Sequence, residues 1–238
     1  MELIKNNWTE NDGVLFSKYL KSLSKGEDKS KWEQNILKTS LPCIAVPSEK
    51  VRYIIKQILK GNYIEFLNLN LKNNYTEIAI RGGIISSIKD FNIMKKYLDG
   101  YALEAECWAT TDTLKFTLTN QNEKLFLNLL KSYATSPNTF VRRTAIIIAF
   151  KYINRVNFDG EILNALKQLK HEKEYYVNMA VAWLVCEYFI KRKDFGMQIL
   201  KSGILNDFTQ NKAISKCRDS FRVSKSDKEF LLSLKRFK

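Results

Sequence analysis

The sequence predicts an all-α fold in which antiparallel helix pairs stack side by side as a curved solenoid. Glycine and proline are scarce, with 9 and 3 among 238 residues, which disfavours the many tight turns of a β-sandwich or barrel. Apolar residues make up 45% of the chain and recur at helical spacing, enough for a substantial core. A short pattern also repeats along the chain, and it predicts the solenoid architecture.

The repeated pattern is an alanine followed by isoleucine or valine. It begins at Ala79, Ala145, Ala180 and Ala213, so the gaps between successive members are 66, 35 and 33 residues. The first gap is about twice as long as the others, and it predicts one further member near Thr113. A unit of about 35 residues with two helices is typical of α-solenoids, in which neighbouring pairs bury each other's apolar faces.

Apolar periodicity predicts fourteen helices. They lie at about residues 10–24, 29–40, 48–60, 62–72, 75–88, 91–97, 101–118, 122–133, 137–154, 160–170, 174–191, 194–203, 209–219 and 226–235. Ser136 followed by Pro137 predicts a capped helix start. Gly61, Gly100 and Gly203 stand where helices are predicted to end.

Two features concern the organisation of the whole chain. Segment 175–190 is apolar almost all round, which predicts a central helix. No Pro-, Gly- or Ser-rich linker divides the sequence, so a single domain over residues 1–238 is predicted. Residues 1–30 are the least constrained part, and they either cap the stack or clamp its ligand.

The chain carries 39 basic and 25 acidic residues, a net charge of +14 that predicts an anionic partner: nucleic acid, an acidic membrane surface or an acidic protein. Arg81, Arg142 and Arg143 lie at the starts of predicted inner helices, and Lys212 and Lys216 belong to a basic C-terminal stretch. Because inner helices line the concave face of a solenoid, these residues predict a basic groove for the phosphates of a duplex. The alternative is a positive surface that is only solvated.

The inventory of reactive residues excludes several kinds of site. The single histidine, His171, allows neither a Ser-His-Asp triad nor a two-histidine metal centre. Cys43, Cys107, Cys186 and Cys217 form no CxxC pair, which predicts free, mostly buried thiols and a cytoplasmic location. The sequence has no glycine-rich phosphate loop and no apolar run long enough to cross a membrane, so no metal, cofactor or membrane partner is predicted.

Segment 106–112 departs from the small, apolar pattern of the other repeats. Trp108 and Asp112 are four residues apart and would share one face of a helix. A carboxylate beside an indole can stabilise a sugar that gains positive charge, as when a base leaves a nucleotide, and the carboxylate can also orient the attacking water. The alternative is a core tryptophan beside an aspartate that caps a helix. Core packing is likewise the alternative for Trp183.

Four stretches resemble motifs of the AlkD family of DNA glycosylases, bacterial alkylation-repair proteins built from HEAT-like repeats. Residues 43–52 resemble the family's Gly-Ile-x-x-Pro followed by charged residues, and residues 106–112 resemble its Ser-Trp-Trp-Asp-x-x-Asp motif. Residues 140–146 are similar to Trp-Leu-x-Arg-Ala-Ala-Ile, and residues 175–183 to Phe-Phe-x-x-Lys-Ala-Ile-Gly-Trp. The resemblance extends over most of the chain.

The resemblance implies a HEAT-like solenoid that hydrolyses the N-glycosidic bond of cationic N3- or N7-alkylated purines in duplex DNA. Unlike most enzymes that act on bases, the family leaves the lesion stacked rather than flipping it into a pocket. Trp108 and Asp112 would form the active site, Arg143 would hold a backbone phosphate, and Trp183 would complete an aromatic cradle around the sugar. The resemblance implies no metal and no organic cofactor.

The chain departs from the family's motifs at four positions. Cys107 and Ala109 replace a tryptophan and an aspartate, Met179 replaces a lysine, and Cys186 stands where the family often has arginine. The alternative function is therefore a catalytically inactive HEAT-like scaffold that binds nucleic acid or protein. A solenoid with closed ends needs no second copy, so a monomer is expected.

Overall fold

A computed structural model describes residues 1–236, and over this range the chain is all-α with no strand, which confirms the predicted fold class. The helices are α1 (Glu10–Ser22), α2 (Glu27–Leu37), α3 (Ser48–Ile58), α4 (Tyr63–Asn68), α5 (Tyr75–Ile85), α6 (Phe91–Leu103), α7 (Trp108–Asp112), α8 (Glu123–Ala134), α9 (Thr139–Ala149), α10 (Asp159–Gln168), α11 (Tyr175–Lys191), α12 (Lys193–Lys201), α13 (Asp207–Asp219) and α14 (Lys225–Leu232). None of them is long and apolar enough to cross a bilayer.

The chain divides into two compact units, one covering Met1–Thr117 and the other starting at Leu118. In the first unit, α5 packs against α3, α6 and α7. In the second, α11 packs against α9, α12 and α13 and is buried along most of its length, which confirms the predicted central helix. The single domain over residues 1–238 stays a prediction, and its last two residues lie outside the described range.

The repeat inferred from the Ala pairs corresponds to helices α5, α9, α11 and α13. Their alanines, Ala79, Ala145, Ala180 and Ala213, are all buried, so these helices approach their neighbours closely. The further member predicted near Thr113 corresponds to α7, which has Thr113 as its C-cap. These helices alternate with α6, α8, α10 and α12 in the order of the elements, and the HEAT-like repeat stays a prediction.

Asparagine residues begin three of these helices. The side-chain oxygens of Asn74, Asn138 and Asn206 accept backbone N–H groups in the first turns of α5, α9 and α13. For α9 this corrects the predicted cap, because Ser136 and Pro137 precede the helix. Asn138 accepts two N–H groups, at 2.9 and 3.1 Å, and so satisfies two donors that the helix leaves unpaired.

The predicted boundaries around Gly100 are wrong. The helix predicted at 91–97 continues to Leu103, and the helix predicted at 101–118 is only the five-residue α7. Gly100 lies inside α6, on its exposed side, where nothing would contact an added Cβ. Glycine in a helix interior costs only about 1 kcal/mol relative to alanine, and the buried face of α6 offsets that cost.

Gly196 allows α12 to pack closely on α11. An added Cβ would overlap the backbone of Phe189, which cannot swing aside as a side chain can. We therefore expect Gly196→Ala to lower the free energy of unfolding by about 2–3 kcal/mol, measured by urea denaturation. The control is Gly160→Ala in α10, where nothing lies within 4 Å and alanine should stabilise by about 0.5–1 kcal/mol. Similar stabilities of the two variants would contradict this packing account.

Candidate functional site

A cleft of about 630 Å³ lies in the first unit between α2, α3, α5 and α7. Its wall is mostly apolar and aromatic, and a few charged side chains also line it. Its indole and charged side chains include Trp32 and Glu33 from α2, Arg52 and Lys56 from α3, Trp108 and Asp112 from α7, and Lys115 just after α7. The cleft therefore combines aromatic rings, carboxylates and cations on one surface.

Trp108 and Asp112 are the first and last residues of α7, and both line this cleft, as their spacing predicts. Both side chains are half-buried, so water reaches the carboxylate. Trp108 packs against a buried cluster that contains Leu37 and Cys43. Because Asp112 ends α7 rather than beginning it, the alternative of an aspartate that caps a helix start does not fit. The structure thus brings an indole and a carboxylate to one cleft.

Tyr101 holds α7 in place from the core of the first unit. Its hydroxyl donates to the carbonyl oxygen of Thr110 at 2.9 Å and lies 3.3 Å from the Thr113 hydroxyl. Burial is the main reason that the pKa of this phenol lies well above its ordinary value, so the hydroxyl stays a donor. Gly82 of α5 makes room for it, since an added Cβ there would overlap the Tyr101 hydroxyl. The carboxylate at the end of α7 therefore has a rigid support.

The sequence contains no motif for a base-sized pocket, and a lesion that stays stacked remains a prediction. The cleft falls within the range of about 300–1,000 Å³ that is typical of small-molecule sites. Sequence reasoning missed its second wall, which α2 supplies. The only available signal was the spacing of Lys29, Trp32 and Ile36, which places them on one side of a helix.

Glu33 is the second carboxylate that lines the cleft, and it was not predicted. One of its oxygens accepts the backbone N–H of Ala45 at 2.9 Å. Burial raises the pKa of Glu33 above its ordinary value, although hydrogen bonds from Ala45 and Cys43 counteract the rise. The cleft thus holds a partly desolvated acid on the wall formed by α2.

Trp183 lies in the second unit, on α11, and it is the exposed exception in a buried stretch. Its side chain is 37% exposed, while Ala182 and Leu184 on either side are fully buried. The indole leans on Phe150, with ring centroids 4.3 Å apart. Plain core packing therefore does not describe this residue, because part of the ring is open to a ligand.

Arg143 and Arg142 are both engaged within the second unit. Arg143 is only 5% exposed, and its Nη1 donates to the carbonyl oxygen of Tyr176 at 2.5 Å. The Arg142 guanidinium forms a two-bond ion pair with Glu172, at 2.6 and 3.2 Å. Phosphate contact stays a prediction for both, and the structure gives Arg142 a clear role inside the fold.

The three other predicted DNA-binding residues differ in exposure. Arg81 is buried and lies 3.5 Å from a carboxylate oxygen of Glu104, which Lys72 also binds at 3.2 Å. Lys212 is exposed, with its ammonium group 5.6 Å from the ring centre of Phe208, and Lys216 is half-buried. Lys212 is therefore the most accessible of the three, and phosphate contact stays a prediction for all of them.

The departures from the resemblance concern mostly buried positions. Cys107 and Cys186 are buried and free, as are Cys43 and Cys217, which confirms the prediction of four unpaired thiols. Cys107 is wholly buried, and Ala109 nearly so, in the cluster against which Trp108 packs. Small side chains at 107 and 109 therefore fill the core beneath the cleft.

A protein-family model described as a DNA alkylation repair enzyme matches residues 17–214. The match covers most of the chain and includes Trp108, Asp112, Arg143 and Trp183. A search of curated proteins found no match.

Proposed function

Because the chain belongs to the family of DNA alkylation repair enzymes, we propose that it is a monofunctional DNA glycosylase that removes cationic N3- or N7-alkylated purines from duplex DNA. Family membership suggests DNA binding and a role in repair. The reaction class is supported by one observation above all, the placement of Trp108 and Asp112 on the same water-accessible cleft. The resemblance also implies that the lesion stays stacked in the duplex.

The chemistry requires little of the protein. An alkylated purine already carries a positive charge, so it leaves as a neutral base when it takes the electron pair of the bond to C1′ of the sugar. The sugar becomes cationic, and the Asp112 carboxylate stabilises that charge by Coulomb attraction while the Trp108 ring faces it. Water then forms the new C1′–O bond, and its proton passes to Asp112 or to solvent.

The remaining predicted residues have supporting roles in this proposal. Trp183 offers an exposed indole to the deoxyribose, and Arg143 anchors a backbone phosphate. Arg81, Arg142, Lys212 and Lys216 add positive charge toward the DNA, and the net charge of +14 favours such binding. The enzyme would act as a cytoplasmic monomer without a metal or organic cofactor.

The test is the release of bases from duplex DNA that has been treated with a methylating agent. We expect the purified protein to release 7-methylguanine or 3-methyladenine faster than spontaneous depurination, detected by liquid chromatography and mass spectrometry. Undamaged duplex should release nothing. Tight duplex binding without any release would favour the inactive scaffold instead and would contradict the enzymatic proposal.

A further inference from the structure

We propose that Glu187 and Arg222 are positioning residues for the reaction, and that together they hold the indole of Trp183 in one orientation at the surface of the second unit. The inference deepens the proposed function and rests on it for the contact between Trp183 and the deoxyribose. It adds two residues that act through the indole rather than on the substrate. Three observations support it: the neighbours of the indole, an ion pair that fixes one of them, and the charge of that neighbour.

The indole of Trp183 has two neighbours within the protein, although part of its ring is exposed. It lies against the ring of Phe150, the C-cap of α9, with ring centroids 4.3 Å apart and ring planes inclined by 50°. Its N–H group donates to the carboxylate of Glu187, which lies one turn further along α11. A side chain that is held in this way loses little rotational freedom when a ligand binds, so its orientation is set in advance.

Arg222 fixes the carboxylate of Glu187. Its guanidinium lies in the turn between α13 and α14 and donates to both carboxylate oxygens, at 3.0 and 2.5 Å. Such a two-bond pair determines the plane of the carboxylate as well as its distance from the cation. The Glu187 side chain is only 13% exposed, so water competes little for its oxygens. The orientation of the indole therefore depends on a residue that comes 39 positions later in the chain.

The charge of Glu187 matters as well as its position. The hydrogen bonds from Arg222 are the main reason that the pKa of this carboxyl lies below its ordinary value, so it is ionised at neutral pH. An anion that accepts the indole N–H polarises the ring and raises the electron density on its faces. Such a ring attracts a sugar that gains positive charge more strongly than an indole bonded to water does. The pair therefore favours the cationic sugar over the neutral one.

The first measurement does not depend on activity. In a proton–nitrogen correlation spectrum of the full chain, the indole signal of Trp183 is the one that Trp183→Phe removes. We expect Glu187→Ala to shift this signal toward that of an indole bonded to water and to speed its exchange with solvent severalfold. Arg222→Ala should cause a smaller change in the same direction, and Arg222→Lys, which keeps the charge, should restore most of the original signal. The matched control is Arg218→Ala, which removes an exposed guanidinium from the last turn of α13 and should leave the signal unchanged.

The second measurement is single-turnover release of 7-methylguanine at saturating enzyme. We expect Arg222→Ala to slow release about fivefold and Trp183→Phe about tenfold, the scale of a weakened and a lost contact between a cation and a ring. The double variant should be no slower than Trp183→Phe alone, because Arg222 acts through the indole. Additive losses would mean that Arg222 contacts the DNA itself and would overturn the inference. Arg218→Ala removes the same charge and should stay within about twofold of the wild type.

The two measurements separate this inference from the function on which it rests. An indole signal that Glu187→Ala leaves unchanged would overturn the inference. A shifted signal with wild-type release by Arg222→Ala would also overturn it, and the glycosylase proposal would stand. If the signal responds as expected but the wild-type protein releases no base from methylated duplex, the positioning of the indole is supported and the hydrolase proposal fails. Equal melting temperatures of the variants would exclude misfolding as the cause.

Discussion

Asp112→Asn is expected to fold normally, to bind methylated duplex DNA and to release its base about 100- to 1,000-fold more slowly than the wild type. Asparagine keeps the size of the side chain but removes the charge that would stabilise the sugar cation. The side chain is half-buried at the end of a helix held by Tyr101, so the substitution leaves its support unchanged. Single-turnover release of 7-methylguanine at saturating enzyme measures the loss without interference from binding.

Asp28→Asn provides the matched control for this experiment. It makes the same chemical change on α2 in the same unit, but Asp28 is exposed and does not line the cleft. We expect release within about twofold of the wild type. If Asp112→Asn released the base as fast as Asp28→Asn, the carboxylate would have no part in the reaction, and the catalytic role proposed for it would be wrong.

Arg142→Ala is expected to lower the free energy of unfolding by about 3–5 kcal/mol, the cost of breaking a buried ion pair. The guanidinium binds both carboxylate oxygens of Glu172 and donates to the carbonyl oxygens of Ser136 and Pro137, at 2.8 and 2.9 Å. The Glu172 side chain is only 6% exposed, so the substitution leaves a buried carboxylate without its cation. Urea denaturation at neutral pH measures the loss.

The same pair predicts how stability depends on pH. Burial alone would raise the pKa of Glu172, but hydrogen bonds from Arg142 and from the N–H groups of Lys173 and Glu174 hold it below its ordinary value. A lowered pKa in the folded state stabilises the protein above the unfolded value of about 4.3, and this contribution is lost as the pH falls through the folded pKa. The stability difference between wild type and Arg142→Ala should therefore shrink below about pH 4.

Arg218→Ala separates this structural role from DNA binding. Arg218 is exposed in the last turn of α13, so its loss should change the unfolding free energy by less than about 0.5 kcal/mol. If Arg142→Ala were as stable as Arg218→Ala but bound duplex DNA more weakly and with a shallower dependence on salt, Arg142 would contact phosphate, as its sequence position predicts, and the structural account would fail.

The sequence predicted the helices well because their signals are local. Alanine pairs, apolar spacing and capping residues depend on a few neighbouring positions, and the fourteen helices are present. The errors around Gly100 arose where a local signal competes with packing, since α6 buries enough of one face to continue through a glycine. The predicted 101–118 helix lost its start for the same reason, because residues 101–103 belong to α6 and Glu104 is its C-cap.

The candidate site was only partly predictable. Trp108 and Asp112 share a helix of five residues, so their spacing was enough to place them together. The wall that carries Trp32 and Glu33 comes from α2, about 75 residues earlier in the chain, and no local pattern relates the two. Arg142 has a partner that the sequence did not reveal, because no local pattern relates it to Glu172, thirty residues later. Its contact with DNA phosphate stays a prediction.

The brevity of α7 has a consequence for motion in the first unit. A peptide of five residues does not hold a helical conformation in water, because the cost of nucleation exceeds the gain from so few bonds. Its order must therefore be imposed by the phenol of Tyr101 and by the apolar cluster beneath it. We therefore expect this segment to open cooperatively with those neighbours. Under mildly denaturing conditions, hydrogen exchange at the amides of residues 108–112 and solvent exposure of that phenol should increase together.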